Sequence, residues 1–253
     1  MLSPRTRIAD VRRSVVRSVC QLELAMRRRE ASNPVFPTDE PYGRIDGTEV
    51  DRVAFLGDWN VAGLGVATYQ LSLPGTFARA WQAQTGRGAD WAVVPVPGFR
   101  LASVPEAVAA APQSVADADL AVLQLGALET MMFVPGEQWR DELTVAIEVL
   151  LGSIKKSGCL VVAAIPPLDR LGRLSGLSVR AIGQECRMLD SVSRRVVGKY
   201  HRCRFAEFPE GLAEQVWIPG ANDFNYRRSY AVWGPSLARA AVVAREKTFD
   251  NTR

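Results

Sequence analysis

Five short apolar runs, at residues 53–57, 91–96, 120–125, 159–165 and 202–208, recur along the chain with longer stretches between them. In those stretches, at about 73–85, 104–111, 136–156, 176–199 and 229–247, apolar residues step by three or four, which is the period of an amphipathic helix. Strands that alternate with helices lie parallel, because each return to the same end of a sheet needs a crossover, and the helices then cover both faces. The expected fold is therefore α/β, a three-layer α/β/α flavodoxin-like sandwich around a five-stranded parallel sheet. Any site belongs at the C-terminal ends of the strands, which here means residues 57–65, 97–102, 126–133, 164–173 and 219–230. Gly234-Pro235 falls inside the last helical stretch and predicts a kink or a restart near Ser236.

Two segments precede this pattern. Between residues 5 and 30 there are eight arginines against three carboxylates, while the whole chain carries only +4, so the basic character belongs to this segment. Ile8, Val11, Val15, Val19, Leu22 and Met26 fall on one narrow stripe, which predicts a basic amphipathic helix over 1–30. Such a helix packs on its own body, on a second copy or on a protein partner, or it lies on an anionic membrane surface. No aromatic or base-reading pattern accompanies the charge, so nucleic acid is not expected. Residues 31–50 are dense in turn formers and read as a linker. The organised domain is expected over 51–253, a length sufficient for one core at 47% hydrophobic residues.

Cysteine usage points to reduced thiols. Cys20, Cys159, Cys186 and Cys203 are far apart and the chain has a single histidine, His201, so neither a metal site nor a disulfide framework is expected. No cofactor is implied. No apolar run reaches membrane-spanning length and arginines interrupt the N-terminus, which predicts a cytoplasmic protein, at most peripheral to the membrane.

The turn after the first run holds the strongest motif. Gly57-Asp58-x-x-x-Ala62-Gly63-x-Gly65-Val66-Ala67-Thr68 resembles the first block of the SGNH (GDSL-like) hydrolases, in the form common among actinobacterial proteins. Gly98 then matches the second block's glycine, and Gly126-Ala127-Leu128-Glu129 stands where the family has Gly-x-Asn-Asp. Trp139-Arg140-x-Glu142-Leu143, Ala164-Ile165-Pro166-Pro167-Leu168 and Ser229-Tyr230-x-x-Trp233 follow in order, extending the resemblance over about residues 53–241. The same resemblance implies a catalytic serine at position 59 and an oxyanion asparagine at 128, where this chain has Trp59 and Leu128. The family's Asp-x-x-His falls on Ala221 and Phe224, or, slipped by one, on Asn222 and Asn225; neither supplies histidine.

Acyl transfer by that route requires an oxygen nucleophile, a base of near-neutral pKa and donors aimed at the oxyanion. With all three side chains replaced, the expectation is an SGNH-hydrolase-like pseudoenzyme that binds or scaffolds. Two alternatives stay open: an esterase or acyltransferase with a relocated site, and a carbohydrate- or lipid-binding module. Asp58, Glu129 and Asp223 are candidates to gather at one mouth, together with Asn60, although Asp58 is equally suited to bracing its loop and Glu129 to facing solvent. Trp59 either plugs the pocket or joins Phe133, Phe224 and Tyr226 in an aromatic platform. Arg227-Arg228 reads as a solvated pair and Cys186 as a packed thiol.

Overall fold

The computed structural model describes residues 17–20, 35–170, 175–212 and 226–250. Six strands form one sheet: β1 (Tyr42–Ile45), β2 (Val50–Gly57), β3 (Gly88–Pro95), β4 (Leu120–Gln124), β5 (Cys159–Ala163) and β6 (Cys203–Ala206). Their order is β1-β3-β2-β4-β5-β6. The strands from β2 onward are mutually parallel, as the helical crossovers require, and β1 runs antiparallel to β3.

The helices are α1 (Leu73–Thr85), α2 (Val104–Ala110), α3 (Pro112–Ala116), α4 (Ala127–Met132), α5 (Gly136–Ser153), α6 (Gly176–Val197) and α7 (Tyr226–Asp250). Alternation along each buried strand divides the apolar residues between two cores. Val53, Phe55, Leu120, Val122 and Val161 point to the face that α1 and α7 cover with Phe77, Trp81, Tyr230 and Trp233. Ala54, Leu56, Ala121, Leu123, Leu160 and Val162 point the other way, to Val104, Leu143, Ile147, Ile182 and Leu189 on α2, α5 and α6. This is the three-layer sandwich expected from the sequence, with six strands rather than five.

The additional strand lies within the segment read as a linker. Its Gly43 sits opposite Trp91, and a Cβ there would come within 2.6 Å of the Trp91 ring. Four residues with a glycine at their centre and turn formers on both sides carry no two-residue alternation, so the strand leaves no periodic trace.

The last helix runs from Tyr226 to Asp250 with Pro235 inside it, so it does not restart at Ser236. Ala231, whose carbonyl loses its helical partner to the proline, is exposed, so water can satisfy it. Gly234 lets α7 approach α1 closely: a Cβ there would lie 2.4 Å from Thr76 Oγ1 and 2.7 Å from Phe77 N. Buried Asp51 on β2 ties the same helix down, accepting from Arg245 Nη1 (2.5 Å), Arg87 Nε (2.6 Å) and Trp81 Nε1 (3.0 Å). Burial pushes this carboxyl up, but the hydrogen bonds from Arg87 and Arg245 outweigh it and hold the group below its ordinary value.

Of the N-terminal helix, residues 17–20 are described, and they are helical. Cys20 is fully buried in the core on the α5/α6 face, whereas its neighbour Val19, on the expected apolar stripe, is 42% exposed. At this turn the face toward the body is therefore one residue out of phase with the stripe. No helix among the described residues is long and apolar enough to cross a membrane.

Candidate functional site

The chain passes from β2 to β3 on one side and places β4 on the other side of β2, so the sheet's switch point lies beside β2. There the turn after β2 meets the end of β4, with the Asp58 N–H donating to Gln124 O at 3.0 Å. Asp58 is fully buried. Its Oδ1 accepts from the main-chain N–H and the Nδ2 of Asn60, both at 2.9 Å, and its Oδ2 accepts from Gln124 Nε2 at 3.2 Å. Burial dominates its electrostatics and pushes the carboxyl up to about 7; the three hydrogen bonds oppose the shift, and nearby Glu129 adds to it. Asp58 and Asn60 thus brace the turn from inside.

Glu129 is buried as well, with no exposed surface, which corrects the expectation that it faces solvent. It projects from the first turn of α4 and accepts from the Leu101 N–H at 2.8 Å and from Arg100 Nε at 3.3 Å. Burial pushes its carboxyl above the ordinary value, against the pull of the Leu101 N–H and Arg100. This contact fastens the loop after β3 to the helix after β4. The two carboxylates are therefore internal ties, one for each pair of loops, and neither rims an open mouth. Gln124 Oε1 and Glu129 Oε2 are buried without a hydrogen-bond partner among the described residues, a polar cost concentrated at the switch point.

Trp59 is half-buried, and its indole meets Phe99 edge-on with ring centroids 6.0 Å apart. Both rings lean on the α5/α6-side core together with Met131 and Met132. Phe99 is held in this position by a left-handed backbone at two successive residues, φ +61° at Gly98 and +54° at Phe99, an arrangement that costs about 1 kcal/mol or more for the non-glycine residue. The aromatic partner of Trp59 is thus Phe99. Phe133, expected in a platform with it, is buried in the core instead. Leu128 is half-buried and brings an apolar side chain where a donor would be required.

Two tyrosines of α7 close the other side of the turn. Tyr230 donates its hydroxyl to Leu64 O at 2.8 Å, and the half-buried Tyr226 lies against Gly65, where a Cβ would come within 2.1 Å of its ring. Gly65 also has φ +81°, a conformation natural to glycine alone, so both backbone and neighbour require it. Burial, then the proximity of Asp58, pushes the Tyr226 phenol up to about 12. Arg227 and Arg228 are exposed. Asp223, Phe224 and Asn225, the other expected site residues, lie outside the described residues.

No histidine stands at this end of the sheet among the described residues. His201, the chain's single histidine, is exposed and precedes β6. It sits about five residues of strand rise below the end of β2, which Trp59 follows, and three strands across, on the order of 20 Å away. Cys186 borders a cavity of about 630 Å³ at the C-terminal ends of β5 and β6, beside Asp190 and Asp169. Burial pushes its thiol up to about 12, so it is not a thiolate at neutral pH. Asp190, whose Oδ1 accepts from the Ile165 N–H at 3.0 Å, is likewise raised by burial, to about 7. One wall, residues 164–169, lies in an expected site segment; sequence reasoning missed that Asp190 on α6 and the loop 207–211 complete the cavity with it. Among the described residues no group of three or more His, Cys, Asp or Glu side chains is placed to hold a metal ion.

No family model and no curated protein sequence matches the chain. Solved structures do. The chain superposes on TesA with a TM-score of 0.52 at 14% identity, over 78% of this chain and 97% of that one. With an extracellular lipase from Streptomyces rimosus the TM-score is 0.53 at 16% identity, over 76% of this chain and all of the lipase. The fold is that of the SGNH-type lipolytic proteins.

Proposed function

We propose that this protein is a catalytically silent member of the SGNH-type fold that acts by binding, its hydrolytic cleft rebuilt as structure. The observation that carries this reading is the position of His201: the chain holds one histidine, and it stands at the wrong end of the sheet to serve a group at position 59. The replacement of serine by Trp59 and of the oxyanion asparagine by Leu128 points the same way. Residues 213–225 contain no Ser, Thr, Cys, Lys or His, so no hydroxyl, thiol, amine or imidazole side chain can come from that segment. Of Glu129 and Asp223, the carboxylates that a relocated hydrolytic site would call on, Glu129 is sealed and committed to a loop contact, as is Asp58, while Asp223 lies outside the described residues.

The loss is larger than a single triad member. Removing a whole triad leaves only the residual catalysis of the backbone donors and of binding, about 10³–10⁴ over water, and here the indole of Trp59 stands in place of the nucleophile itself. The reading is tested by turnover of short-chain aryl esters: the purified chain is expected to show no rate above buffer, and saturable turnover would overturn it.

The N-terminal helix is assigned to docking. Burial of Cys20 supports attachment to the chain's own body, and exposure of Val19 leaves an apolar edge for a protein partner or an anionic membrane surface. Attachment of the chain to vesicles containing anionic lipid, and its loss when residues 1–30 are removed, separates the membrane from a protein partner.

A further inference from the structure

We propose that the free edge of β6 is a docking site for an acidic, extended peptide segment of a partner protein, which adds to the sheet as a seventh strand. This goes beyond the reading of the cleft and holds whether or not the cleft turns over an ester.

The geometry begins with the ladder. Leu160 N donates to Arg202 O at 2.8 Å and Ala164 N to Ala206 O at 2.8 Å, so residues 202, 204 and 206 face β5. In a parallel ladder the alternate residues then direct their main-chain groups away from the sheet, which for β6 means Cys203 and Phe205. The Cys203 N–H is taken by Tyr200 O at 3.1 Å. The Cys203 carbonyl and both polar groups of Phe205 point outward, the pattern that an added strand reads.

Among the described residues, none closes over the edge. A cavity of about 580 Å³ runs along it, with Tyr200, Cys203 and Phe205 on one side and Arg204 and Lys247 on the other. Arg194 of α6 stacks over the Phe205 ring at 4.8 Å and is bound to Glu207, so its charge is answered. Arg202, next along the chain, is spent on the carbonyls of Gly158, Leu151 and Lys155. Arg204 and Lys247 have no carboxylate partner among the described residues, and exposed His201 adds a third basic group at the start of the strand.

This charge selects the occupant. A second copy pairing β6 with β6 would bring Arg204 and Lys247 against their own counterparts, where like charges oppose association. A small anion would answer the cations and leave the outward main-chain groups of Cys203 and Phe205 unread. An extended segment of about four residues, the length of β6, with acidic side chains at alternate positions meets both requirements.

The test uses the full chain and a fluorescein-labelled hexapeptide of alternating threonine and glutamate, with binding read by fluorescence anisotropy. The expected result is saturable binding that a threonine–lysine hexapeptide does not show, and a loss of about tenfold or more in the Arg204→Glu, Lys247→Glu double variant. Because that variant alters the protein, two further peptides alter only the ligand. Each is N-methylated at one set of alternate residues; β-addition predicts that one set abolishes binding while the other leaves it within about threefold. Equal binding by the two methylated peptides, an unweakened double variant, or no binding by the glutamate peptide up to about 1 mM would overturn the proposal.

Discussion

Asp58 titrates in the wrong direction for stability at neutral pH, and the size of that effect follows from its burial. In the unfolded chain its carboxyl has a pKa near 3.8, and in the fold burial raises it to about 7. Between those values the native state holds a proton that the unfolded state releases, so stability falls as pH rises through that window. A rise of roughly three units corresponds to about 4 kcal/mol at 1.4 kcal/mol per unit, and somewhat more than half of it, about 2.5 kcal/mol, falls between pH 5 and pH 8. Asp58→Asn keeps the acceptor for the two Asn60 donors and cannot ionise. Turning the Gln124 amide lets the new side chain donate to Gln124 Oε1, which has no partner among the described residues. Urea unfolding of both proteins at pH 5 and pH 8 isolates position 58 together with its coupling to Glu129, because Asp190, which is not coupled to Asp58, is common to the two. The variant is expected to gain about 2.5 kcal/mol on the parent between these pH values, a midpoint shift on the order of 1 M urea. Parallel pH profiles, or a variant that loses ground at pH 8, would refute the assignment of a buried, destabilising carboxylate.

Other perturbations follow from the same contacts. Glu129→Ala strands the buried Leu101 N–H and frees Arg100, and is expected to cost about 2–4 kcal/mol in chemical denaturation, with Glu129→Gln recovering much of it through the retained acceptor. Gly65→Ala meets both φ +81° and the Tyr226 ring, and should lower stability by about 1–3 kcal/mol, more than the same change at exposed Gly152, where a Cβ meets nothing. Asp51→Asn weakens the anchor of Arg87 and Arg245 on α7. Because the Asp51 carboxyl is held below its ordinary value, the parent's advantage over that variant is present near neutral pH and is lost as pH falls through the acid range, the opposite sense to Asp58.

How much of this was visible in the sequence depends on periodicity. β2 from Val53 onward, β4 and β5 are buried on both faces and read as apolar runs, and α1 has its predicted limits, because pattern and packing agree there. β1 was invisible because an edge strand of four residues around Gly43 needs no alternation. That α7 continues through Gly234-Pro235 without a restart was not legible, because the local cost of proline is visible in sequence, whereas the fit of Gly234 on Thr76 is a tertiary fact. In the site, motif order placed Asp58, Trp59, Gly98 and Glu129 on adjacent loops. It could not reveal that Glu129 turns inward to Leu101, nor that Phe99 rather than Phe133 faces the indole, since both depend on where a loop of left-handed residues lies.

The claim beneath the whole account is that the cleft retains its walls and has lost its reactive groups. Intact-mass spectrometry after exposure of the full chain to a fluorophosphonate measures this directly, because such a probe marks only an oxygen nucleophile activated by a neighbouring base. The account predicts an unchanged mass for the parent protein and also for Trp59→Ser, whose new hydroxyl has no imidazole within reach. A stoichiometric adduct on the parent chain would contradict it.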